Sequence, residues 1–145
     1  MRSALVVLFA CTVLGVFGCG GIVSPDLFIV YRTGSAPSAK LTMLVTEEGV
    51  VHCYQESSHP GPARHLSDPQ IIEARTIQED LETPASQHLS LPARPGSVLH
   101  YHLRDANGTV SFSDNSLHQP KVLRKLGLFV LTVAQEVCGL PQAGA

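Results

Sequence analysis

The sequence predicts an α+β domain: an antiparallel sheet in the order β-β-β-α-β-β-α, two helices packed on one face, and one disulfide. Two stretches alternate apolar and polar residues with period two, through Leu41, Met43, Val45, Val51 and Cys53 and again through Leu99, Tyr101, Leu103, Val110 and Phe112. That period marks strands with one buried face. After each stretch the apolar spacing lengthens to three and four residues, the helical period. Grouped strands followed by single helices, without regular βα alternation, place the helices together on one side of an antiparallel sheet. Third, two cysteines far apart in the chain, Cys53 and Cys138, supply the expected bridge.

The chain opens with Arg2 and the apolar run Ala4 to Leu14, which leads into Gly15-Val16-Phe17-Gly18-Cys19. A positive residue, an apolar stretch and small residues at its end make a secretory signal over residues 1–18. A membrane span needs about 20 apolar residues, and the run breaks too early at Gly18-Cys19-Gly20-Gly21. Val16-Phe17-Gly18-Cys19 resembles the lipobox of bacterial lipoproteins, with an aliphatic residue at minus three and Gly at minus one. The resemblance implies cleavage before Cys19 and a lipid anchor on that cysteine. An ordinary secretory signal cut nearby is the alternative, and the protein would then be secreted. Residues 19–26 form a short tether, residues 27–141 a single domain, and residues 142–145 a tail.

Strand one is the β-branched and aromatic run Leu27-Phe28-Ile29-Val30-Tyr31, ended by turn residues from Gly34 to Ser38. A hairpin follows, alternating through Leu41, Met43 and Val45, turning at Glu47-Glu48-Gly49 and resuming in Val51 and Cys53, with His52 outward. Residues 55–66 have no period and two prolines, and read as an irregular surface loop. Asp68 is the expected N-cap of the first helix, with Pro69 at its first position. Ile71, Ala74, Ile77 and Leu81 form its apolar stripe, and Pro84 is expected to end it. Beyond a linker around Leu91 to Gly96, Ser97 to Asp114 reads as a second hairpin, with Asn107-Gly108 at its turn. The last helix is expected from about Gln119 to Cys138, with Gly139 just past its end. Its apolar residues, from Val122 to Val137, lie nearly all round, which predicts a central core helix. Lys121, Arg124, Lys125, Gln135 and Glu136 leave too short an apolar run for a membrane span.

Charge and cysteine content bound the function. The net charge is −2, from 10 Lys plus Arg against 12 Asp plus Glu, and loss of Arg2 with the signal makes it one unit more negative. Nucleic acid is not an expected partner, because phosphate binding needs clustered basic residues. Cys11 leaves with the signal and Cys19 takes lipid, so Cys53 and Cys138 are the thiols left to pair. In an exported protein such a pair forms a disulfide, and closing a loop of roughly 85 residues is worth about 3–5 kcal/mol in the chain-entropy model.

Candidate chemistry is sparse. His100 and His102, two apart on a strand, project from one face, and with Asp114 and His118 they are the candidate metal ligands. The inward face is claimed by Leu99, Tyr101 and Leu103, so both histidines are expected to face solvent beside the cationic Arg104. No metal or other cofactor is therefore expected. His59, Arg64 and His65 lie in the long loop and are the candidate binding-loop residues. No Gly-x-Ser-x-Gly elbow or Gly-x-x-x-x-Gly-Lys loop occurs, and no catalytic residue is assigned.

Residues 108–114 (Gly-Thr-Val-Ser-Phe-Ser-Asp), 119–123 and 135–141 look like small exported proteins and lipoproteins of actinobacteria and similar high-GC bacteria. That resemblance implies export and brings no activity. Val50-Val51-His52-Cys53 with His59-Pro60 is similar to the secreted subtilisin-inhibitor family, where a strand cysteine precedes a His-Pro. The second disulfide that braces that family's reactive loop has no counterpart in this chain. The leading expectation is a small non-enzymatic domain of the cell envelope, anchored to the membrane through lipid, that binds or supports another envelope protein. A secreted protease inhibitor is the alternative, and a metal-binding or hydrolytic enzyme comes after it.

Overall fold

The computed structural model describes residues 25–55 and 61–143. The expected signal, the lipid-attachment Cys19 and His59 lie outside those residues. One six-stranded antiparallel sheet is formed by β1 (Asp26–Gly34), β2 (Leu41–Thr46), β3 (Val50–Tyr54), β4 (Arg64–His65), β5 (Leu99–Arg104) and β6 (Thr109–Ser113). Its spatial order is β4-β3-β2-β1-β5-β6. Two helices, α1 (Asp68–Ser86) and α2 (Lys121–Thr132), complete the α+β fold. Among the described residues no helix is long and apolar enough to cross a membrane.

The two hairpins meet at β1, which pairs with β2 on one side and β5 on the other, with Val30 opposite both Met43 and Leu103. A bulge between Asp26 and Phe28 turns both Leu27 and Phe28 into buried positions. The buried face carries Phe28, Val30, Met43, Val45, Val51, Leu103 and Val110. With it cluster Ala74, Ile77, Leu81 and Ala85 of α1 and Leu123, Leu126, Phe129 and Val130 of α2. Phe28 meets Phe129 edge to face at 6.2 Å. Each large apolar side chain so buried stabilises the fold by about 1.5–3 kcal/mol.

Cys53 of β3 is bonded to Cys138 beyond α2, with Cα atoms 6.2 Å apart. The bridge fastens the end of the last helical segment to the strand on the far side of β2.

Several elements differ from the sequence reading. The long loop is not wholly irregular, since Arg64 and His65 form β4 opposite Val51 and Val50. The cap of α1 is Ser67, whose backbone N–H donates to Gln70 Oε1 at 3.0 Å in a capping box, and Asp68 is already helical. Pro84 does not stop α1, which continues to Ser86. A proline removes its own N–H and crowds the carbonyl four residues back, but that residue, Asp80, is exposed to water, and the helical residues after Pro84 bury Ala85. Just past the helix, His88 takes the left-handed conformation (φ 51°), while Leu89 N–H donates to Pro84 O at 3.0 Å.

The linker after α1 is tied to the sheet. Leu89 O accepts from Ser111 N–H at 2.9 Å and Leu91 N–H donates to Ser111 O at 2.8 Å, so this segment covers the outer edge of β6. At the β5–β6 turn, Asp105 Oδ1 accepts from the N–H groups of Asn107 and Gly108 at 2.8 and 2.9 Å. The glycine there serves close approach, because a Cβ at 108 would stand 2.2 Å from Ala85 O.

The last helix is α-helical only to Thr132, and residues Val133–Val137 form a wider π turn. Gly139 follows with φ 65°, where the sequence places a helix stop. Nor is α2 buried nearly all round. Leu128 is 66% exposed, and Lys121 and Arg124 share solvent with it.

Candidate functional site

Because side chains alternate across a strand, burying Val30, Tyr101 and Leu103 sends Ile29, Tyr31, Thr33, His100, His102 and Arg104 to the opposite face. The helices cover one face, and among the described residues no element covers the second. Register then sets its pattern: Tyr31 lies opposite His102, His102 opposite Ser111, and Thr33 opposite His100. The Tyr31 and His102 rings stand 6.1 Å apart and tilted by 34°, and His102 Nδ1 lies 2.8 Å from Ser111 Oγ. A shallow depression of about 280 Å³ runs over these residues, with Leu91 and Ala93 at its rim.

His100 and His102 therefore sit where alternation puts them, exposed and on one face. Asp114 and His118 do not join them. Asp114 lies past the end of β6, and its carboxylate accepts from Ser97 Oγ at 2.8 Å, Val98 N–H at 3.1 Å and Leu99 N–H at 3.3 Å. Burial pushes the Asp114 carboxyl up, but hydrogen bonds from Ser97, Val98, Leu99 and Asn115 outweigh it and hold the group below its ordinary value. Its role is to fasten the start of β5. His118 is exposed in the turn before α2, with φ 55°. Among the described residues no three His, Cys, Asp or Glu side chains stand together as a metal-binding group. Arg64 and His65 are exposed on the two-residue edge strand.

The His102–Ser111 pair is the nearest approach to a base and a hydroxyl nucleophile. Among the described residues no carboxylate hydrogen-bonds the imidazole, so the orienting acid of a triad is missing.

A second hollow lies on the helix side, and of the residues lining it only Asp114 is a candidate from the sequence. At the sheet end Arg32 of β1 stands beside Tyr101 of β5, and Tyr101 stacks on Phe112 of β6 with centroids 4.8 Å apart. Arg32 is only 1% exposed. Its Nε donates to Ala39 O at 2.8 Å and its Nη2 to Ser38 O at 3.3 Å, while Nη1 is buried with no partner among the described residues. Burial lowers the Arg32 pKa, with Tyr101 opposing that shift. Burial raises the Tyr101 phenol, Arg32 pulls it back, and Asp114 adds to the rise.

Above Tyr101 and Phe112, the Leu123, Gly127 and Leu131 positions of α2 form the wall of a cleft of about 300 Å³, with Asp114, Gln119 and Arg124 at its polar end. One signal for it stood in the sequence, the glycine at 127 inside an apolar helical run.

No protein family, curated protein or solved structure matches the chain.

Proposed function

We propose that this protein is a small non-enzymatic domain of the cell envelope that binds or supports another envelope protein through the open face of its sheet. In this reading the signal directs export, lipid on Cys19 holds the domain at the membrane, and the disulfide belongs to an oxidising compartment. The observation that carries it is the face around Tyr31, His100 and His102, which no element covers among the described residues. Tyr31 is 40% exposed on a rigid strand at the centre of the sheet. Tyrosine on such a platform offers a large contact area at little entropic cost, which is why it recurs at interface centres.

The test is affinity capture of tagged full-length protein from its native membranes, compared with a Tyr31→Ala/His102→Ala double variant. Both residues are exposed, so the variant should fold. One envelope protein retained by the wild type and lost by the variant supports the reading; equal retention refutes the open face as the binding surface. For the anchor, Cys19→Ala should move the protein from the membrane to the soluble fraction, and unchanged fractionation would reject lipidation.

A further inference from the structure

We propose that the cleft between α2 and the β5–β6 end of the sheet binds an uncharged acyl chain, with its hydrocarbon along α2 and its carbonyl oxygen accepting a hydrogen bond from the Tyr101 hydroxyl. The site lies on the helix side of the sheet and is independent of what binds the opposite face. Tyr101 stacked on Phe112 makes the floor and Leu123 and Leu131 the wall, so most of the hollow suits hydrocarbon. At about 300 Å³ it lies at the small end of ligand sites.

The Tyr101 hydroxyl is the observation that points to a ligand. The residue is only 4% exposed, yet its hydroxyl has no hydrogen-bond partner among the described residues. A buried tyrosine hydroxyl usually finds one. Burial raises the phenol above its ordinary value, so at neutral pH the group keeps its proton and can donate. It opens toward α2 at Gly127, where an added Cβ would stand 3.9 Å from the ring end and the hydroxyl. Alanine would fit there and would favour the helix, so close packing does not demand the glycine. The glycine leaves the space over the hydroxyl clear.

Charge decides the kind of head. Arg124 is exposed at the mouth and makes no hydrogen bond or ion pair among the described residues. Asp114 is the opposing charge, a carboxylate held ionised by hydrogen bonds from Ser97, Val98 and Leu99. Arg32 takes no part, because its guanidinium is turned to Ser38 and Ala39. One charge of each sign leaves no net field to offset the desolvation of an ionic head in an apolar hollow. A carbonyl loses far less on entering, and it supplies the acceptor that the Tyr101 hydroxyl lacks.

The experiment is titration of the isotope-labelled full chain with methyl octanoate, read by backbone amide shifts below the micelle-forming concentration. Octanoate and octylammonium are the anionic and cationic comparisons. The expected result is saturable binding of the ester, with shifts centred on Gly127, Leu131 and Tyr101, and weaker binding of both ions. Tyr101→Phe keeps the stacked ring and removes only the unpartnered hydroxyl, so it should leave the fold intact and weaken the ester roughly three- to tenfold. Gly127→Leu should fill the cleft and abolish binding; if that variant does not fold, Tyr101→Phe and the two ions still decide. Absence of saturable binding, either ion bound as tightly as the ester, or ester affinity unchanged in Tyr101→Phe would each overturn the proposal.

Discussion

Removing the Cys53–Cys138 bridge should destabilise the domain more than almost any other pair of substitutions. The perturbation is the double variant Cys53→Ala/Cys138→Ala, which leaves no lone thiol in the domain to mispair. The bond closes a segment of 85 residues in sequence separation. In the chain-entropy account, freeing a loop of that length adds about 4–5 kcal/mol of conformational freedom to the unfolded chain. Domains of this size are stable by about 5–15 kcal/mol, so the loss is between about a quarter and the whole of the total. Urea unfolding at neutral pH, followed by circular dichroism, reads the effect. With an m-value of about 1.5 kcal/mol/M, the midpoint should fall by about 3 M. Reducing agent added to the wild type should produce the same shift. A fall of less than about 1 kcal/mol would refute the entropic reasoning. Two alkylatable thiols in unreduced wild-type protein would refute the bridge itself.

Three further outcomes follow from the local geometry. Gly127→Ala should raise stability by about 0.5–1 kcal/mol in urea unfolding, because it removes a helix glycine without a clash. His88→Gly should stabilise by up to about 1 kcal/mol in the same assay, since His88 holds the left-handed position that glycine occupies freely; the gain is reduced by loss of its 3.2 Å contact with Thr109. Asp114 has a folded-state pKa held below its ordinary value of 3.8, so its contribution is complete above that pH and is lost as pH falls through the lower folded value. Asp114→Asn should therefore flatten that acid limb of a stability–pH profile, by a modest amount because the group is largely solvated.

Sequence alone is most informative where a local period reports a burial pattern. Leu41, Met43 and Val45, and Leu99, Tyr101 and Leu103, are buried as their alternation requires, and Gly139 marks the helix stop. The exposed placement of His100 and His102 follows from the same alternation. What escaped the sequence depends on neighbours distant in the chain. Nothing in strand spacing says that β5 pairs with β1, and β4 is too short to show a period. Pro84 looks like a terminator because a local rule cannot include the burial of Ala85. Asp114 resembles a metal ligand until the backbone of Val98 and Leu99 is placed against it. The cleft exists only once α2 is laid over Tyr101 and Phe112, so the glycine at 127 has no visible target in the sequence.

The most direct test of the open face as the binding surface is photo-cross-linking of the full-length protein in its native membranes from two positions. One cross-linker replaces Tyr31 on the sheet face away from the helices, and the other replaces Glu79 on the exposed side of α1. One reproducible envelope-protein adduct is expected from position 31 and none from position 79. The same adduct from both positions, or from 79 alone, would contradict that reading.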